Sequence, residues 1–125
     1  MKNPAEDPNA ATIGRARFYH FFPPADLAET AALLGEVLGV EFAEEKSGFF
    51  EEIPAFDGCG GGLHFALLGI PDPKYDGREI KNDDFELHIK ITEDRFRSTQ
   101  EVDALLAERL SRLPEIQLRP SERWT

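Results

Sequence analysis

The chain has a single cysteine, Cys59, in 125 residues. An internal disulfide is therefore impossible, and such sparse thiol usage fits a reducing compartment. No apolar run approaches the ~20 residues of a membrane span, and the N-terminus has no apolar signal-peptide core. The expected address is the cytoplasm. Basic residues are also scarce: 14 Lys and Arg stand against 24 Asp and Glu, a formal net charge of −10. Nucleic-acid binders neutralise phosphates with a basic face, so that class is excluded. Anionic membranes are excluded as partners on the same ground. No internal repeat is present.

The shortage of base is local. Residues 26–57 hold nine acids (Asp26, Glu29, Glu36, Glu41, Glu44, Glu45, Glu51, Glu52, Asp57) and one base, Lys46. An acidic protein either keeps itself soluble or steers towards a basic partner. Neighbouring like charges repel, so a segment that only had to fold would intersperse lysine. Phe49, Phe50 and Phe56 lie among these carboxylates. Acids around apolar rings make an interface, with charge for speed and specificity and rings for affinity. The expected partner-binding set is Glu41, Glu44, Glu45, Phe49, Phe50, Glu51, Glu52, Phe56 and Asp57, directed at a basic protein. The competing reading of the same segment is a solvated surface.

A core is available. The 41% hydrophobic content and ten Phe suffice for one domain of this length without a metal or disulfide staple. Phe85, Leu87, Ile89 and Ile91 alternate with Glu86, His88, Lys90 and Thr92, which marks a strand with one buried face. Arg15–Phe22 is a first strand, aromatic on both faces, and Leu63–Ile70 is another apolar on both faces. Both are expected near the centre of a sheet. Asp26–Leu38 is an amphipathic helix: Leu27, Ala31, Leu34 and Leu38 form a stripe, Asp26 caps the start and Gly39 ends it. Ser98–Leu113 is a second helix, with an S-x-x-E capping box at Ser98 and Glu101 and with Pro114 as its stop.

Between these, Val40–Ile53 reads as two short strands turning at Lys46-Ser47-Gly48. Arg78–Lys81 is a candidate short hairpin. Ile116–Leu118 is a candidate edge strand, and Trp124 is expected to pack back on the domain. Met1–Thr12 reads as a disordered leader before a single domain spanning 13–125. The expected architecture is an α+β two-layer sandwich, close to a split βαβ arrangement. Two helices would cover a mostly antiparallel sheet of 4–6 strands in the order β-α-β-β-β-β-α, with a final β as an option.

Catalytic signatures are weak. Pro54–Gly62 is glycine-rich, but it lacks the Gly-Lys-Ser/Thr ending of a P-loop and precedes a strand, so a permissive connection is expected. Cys59 has no local nucleophile signature. The three histidines, His20, His64 and His88, fall on three strands, and Glu86 shares a face with His88. Three such side chains on adjacent strands would suit a metal, although single strand histidines are more often packing or surface residues. The expectation is a non-enzymatic protein without cofactor.

Two resemblances bear on function. The aromatic strand RFYHFF, the helix ADLAETAALLGEVLG and the acidic segment after it resemble small acidic immunity proteins of bacterial contact-dependent and polymorphic toxin systems. That resemblance implies a cytoplasmic inhibitor seated on a cognate toxin domain, often a basic nuclease. Locally, YHFF, DLAETAALLGEVLGVEF, LHFALLG and FELHIKI resemble a vicinal-oxygen-chelate, or glyoxalase-like, module. This alternative implies a metal-dependent lyase, dioxygenase-like or small-ligand-binding protein acting as a dimer. His20 matches its first-strand ligand, and Glu86 or His88 its late-strand ligand. That family closes its cup with two modules, whereas only a helix and a short strand follow Thr92 here. A full metal site would need a second chain.

Overall fold

The computed structural model describes residues 13–47, 53–78 and 82–121. Its elements are β1 (Ala16–Phe21), α1 (Leu27–Leu38), β2 (Ala43–Glu44), β3 (Ala55–Gly60), β4 (Leu63–Leu68), β5 (Phe85–Ile91), α2 (Thr99–Leu110) and β6 (Arg119–Pro120). A short 3-10 turn covers Pro73–Tyr75. The strands form one six-stranded antiparallel sheet in the order β2-β3-β4-β5-β1-β6. This is the expected α+β two-layer sandwich, with the final strand present.

Period two sets the layers. Phe85, Leu87, Ile89 and Ile91 of β5 are all buried, as are Leu63, Phe65 and Leu67 of β4 and Tyr19 and Phe21 of β1. These residues share one core with Ala31 and Leu34 of α1 and with Val102, Leu106 and Leu110 of α2. Both helices therefore lie on the same side of the sheet. The opposite face carries a smaller apolar cluster of Ala55, Ala66 and Leu68, with Ile53 packed against it.

Helix α1 starts and stops as expected. Asp26 Oδ1 accepts from Glu29 N–H at 2.8 Å, and Gly39 ends the helix at φ 68°. The start of α2 differs from the expected box. The Ser98 side chain makes no cap bond, and Glu101 Oε2 accepts instead from Arg97 N–H at 2.8 Å. The carboxylate reaches one residue further back and satisfies that donor.

Three chain connections depart from the sequence expectation. Pro54–Gly62 is mostly strand, not loop: β3 runs to Gly60, and only Gly61 and Gly62 turn. The glycines are needed because the Val40–Glu41 backbone lies against β3. A Cβ on Gly58 would sit 2.6 Å from the Glu41 carbonyl oxygen. Secondly, β2 pairs with β3, whereas the second strand expected after Lys46-Ser47-Gly48 falls largely on residues 48–52, outside the described residues. The Glu45 carboxylate folds back to accept from the Ser47 N–H and hydroxyl, and Glu45 N–H donates to the Ala55 carbonyl at 2.8 Å.

Thirdly, three strands lie between β1 and β2, where a split βαβ unit has one. Helix α1 carries the chain to the far edge, and β2 to β5 meander back to β1. The edge strand β6 forms at Arg119–Pro120, while Ile116 and Leu118 before it pack into the core. The leader 1–12, most of the 78–81 hairpin and Trp124 lie outside the described residues. No helix among the described residues is long and apolar enough to cross a membrane.

Candidate functional site

Strand alternation decides where the acidic segment presents its groups. In β3, Phe56 points to the helix side and joins the core margin, whereas Asp57 points to the opposite face and meets His64. Glu44 is the register partner of Phe56 and shares its side, where it is exposed. Glu41 is exposed, and Glu45 is occupied by Ser47. Phe49, Phe50, Glu51 and Glu52 lie outside the described residues. The expected set is thus divided between two faces by period two, and Asp57 stands apart from Phe56 and Glu44.

What remains on the helix side is a groove of about 550 Å³ between α1 and the β2–β3 edge. Its floor is Phe42 and Phe56, both partly buried against the core. The α1 wall is made of small side chains, including Ala28 and Ala32, and Glu36 and Glu41 form its acidic rim. Phe42 meets Phe65 edge-on, with ring centroids 6.3 Å apart, which fixes the floor to the central strand. Sequence reasoning missed Phe42 and Glu36 as members of this site. The signal available was their position three residues before and three residues after the Gly39 helix stop, where the chain turns back along β3.

The three histidines lie on the sheet face turned away from the helices. His20 is the cross-strand partner of Glu86, Phe18 that of His88, and His64 that of both Cys59 and Lys90. Each imidazole has its own carboxylate neighbour. His20 Nδ1 lies 2.9 Å from Asp84 Oδ2, His64 Nε2 lies 3.3 Å from Asp57 Oδ2, and His88 Nε2 lies 4.0 Å from Glu86 Oε1. The His88 ring also sits edge-on to Phe18 at 4.7 Å. Among the described residues no group of three or more His, Cys, Asp and Glu side chains is placed to hold a metal ion. His20, Glu86 and His88 share a face without forming a ligand set within one chain.

At the same end of this face, the β4–β5 connection is braced by Arg78. Its Nε and Nη2 donate to the two Asp76 carboxylate oxygens at 2.9 and 2.8 Å. That bidentate bond raises the Arg78 pKa against the opposing effect of burial, and Glu86 and Asp83 raise it further.

A second crevice, of about 470 Å³, lies between α2 and the chain leading to β6. Asp103 stands at its margin, accepting from Arg17 Nε at 3.1 Å, from Arg17 Nη2 at 2.7 Å and from the Tyr19 hydroxyl. This closed set of bonds joins α2 to β1. No protein-family model matches the chain, and no curated protein or solved structure is significantly similar to it.

Proposed function

We propose that the protein is a non-enzymatic binding protein that neutralises a basic partner, in the manner of an immunity protein held against a cognate basic bacterial toxin, a nuclease being the expected kind. One observation carries the reading. The groove floored by Phe42 and Phe56 is rimmed by Glu36 and Glu41, within a segment where nine acids meet one base. Rings of this kind supply buried area, and the rim carboxylates speed encounter and reject acidic competitors.

The test is co-purification of the full chain with the basic protein encoded beside it, at low and then raised salt. A stoichiometric, salt-weakened complex is expected, because rim charges act mainly on the association rate. The triple variant E36K/E41K/E44K should abolish the complex while its thermal melt stays within about 0.5 kcal/mol of the parent, since all three side chains are exposed. Unchanged binding by that variant would overturn the proposal.

The glyoxalase-like alternative keeps one point in its favour, the direct opposition of His20 and Glu86 across strands. It expects a divalent metal in the purified protein, lost in H20A and measurable by elemental analysis.

A further inference from the structure

Negative charge gathers without a counter-charge at the end of the groove where α1 stops. Glu36 and Glu41 both line the groove, and both are exposed. The backbone N–H groups of Gly39 and Val40 both donate to the Gly35 carbonyl. The chain therefore folds back at once and holds Glu41 near the last turn of α1, which carries Glu36. The C-terminal end of a helix is also the negative end of its dipole and ordinarily draws Lys, Arg or His. The last turn of α1 has no basic residue. No lysine or arginine stands among the described residues that line the groove. No ion pair joins Glu36 or Glu41 to another described residue. Two carboxylates and a helix end thus face an aromatic floor, and the chain supplies no cation of its own.

The floor decides which cation fits. Phe42 and Phe56 offer ring surface, and Ala28 and Ala32 offer small apolar wall. A lysine ammonium is compact and strongly hydrated, so it gains little from leaving water for such a floor. A guanidinium is planar and weakly hydrated, stacks on aromatic rings and presents paired N–H donors to carboxylates. We infer that the groove is an arginine site. It takes one arginine side chain of the basic partner, with the methylene stem against the α1 wall and the guanidinium between the rings and the rim carboxylates Glu36 and Glu41. This inference rests on the binding reading above and deepens it by naming the side chain that the groove selects.

The test titrates the full chain with N-acetyl-arginine amide and with N-acetyl-lysine amide, both monovalent cations, at matched ionic strength. Binding is read from NMR shifts of the Phe42 and Phe56 rings and of the Gly35 and Gly39 amides. The arginine probe should bind about threefold to fivefold more tightly than the lysine probe. E36Q/E41Q should weaken the arginine probe about tenfold, through two exposed ion pairs. A32F places a ring at an exposed wall position, where it leaves the core untouched, and should block both probes. Equal affinities, a preference for lysine, shifts confined to residues outside the groove, or undiminished arginine binding by A32F would each overturn the inference. The two readings fail separately. If arginine is not preferred, yet the neighbouring basic protein forms a complex that E36K/E41K/E44K abolishes, the arginine site alone is wrong. If arginine is preferred and no such complex forms, the partner reading falls and the arginine site stands.

Discussion

Tyr19 shows how one residue joins layers that its own strand only begins to organise. It is 4% exposed, and its hydroxyl donates to Asp103, which is also held by the Arg17 guanidinium. Truncating the acceptor strands a buried donor, so D103A should lower unfolding free energy by about 2 kcal/mol, and Y19F by about 1 kcal/mol. Because the two share a partner, the double variant should cost less than the sum. Burial first, and then the bond to Asp103, push the Tyr19 pKa well above the ordinary tyrosine range, with Arg17 opposing. Its folded pKa is raised, so the contribution is fully present below the unfolded value of about 10 and is lost as pH rises beyond it. The stability gap between the parent and Y19F, measured by denaturant melts from pH 8 to 11, should narrow above pH 10. Nothing in the sequence pointed to Asp103. The pattern of α2 shows which face is apolar, but not that a carboxylate at its edge will stand beside an arginine 86 positions earlier.

Among elements, β3 departs most from its appearance in the sequence. Its run Asp57-Gly58-Cys59-Gly60 has almost no strand propensity, yet it pairs along its whole length with β4. Tertiary contact overrides propensity here, because only the bare helix-side positions at Gly58 and Gly60 admit the Val40–Glu41 backbone. A Cβ at Gly58 would meet the Glu41 carbonyl oxygen at 2.6 Å and Val40 Cγ1 at 2.7 Å, whereas one at Gly61 meets nothing within 4 Å. G58A should therefore cost roughly 2–3 kcal/mol as overpacking. G61A should cost only about 1 kcal/mol, from its left-handed backbone. Chemical denaturation of the two variants checks that order, and a G58A midpoint equal to the parent's would refute the close-approach account. By contrast α1, β4 and β5 were legible. Their stripes and alternations are strong local signals, and Asp26 and Gly39 cap α1 as their chemistry suggests.

For the whole molecule, the net charge of −10 is a standing cost to compactness as well as an attraction for a basic partner. Added salt screens that repulsion within about 10 Å at 0.1 M. The isolated parent chain should therefore melt higher in 200 mM than in 10 mM sodium chloride. Each Glu→Lys reversal changes the charge by two, so E36K/E41K/E44K takes it from −10 to −4. That variant should show a smaller salt-dependent rise in a thermal melt. An equal rise in both would mean that the acids near the groove do not feel one another.

The sequence by itself determined the fold class, the two helices with their buried stripes, the buried alternation of β5 and the location of the acidic excess. All of these are short-period patterns, set by covalent spacing along one segment. Tertiary structure alone decided that β2 pairs with β3, that Phe42 and Phe56 meet beneath α1, and that Asp57 leaves Phe56 for His64. It also set Cys59 opposite His64. Those outcomes depend on strand register and on contacts between distant segments. A shift of one residue would have reversed every face, and local patterning does not carry that information.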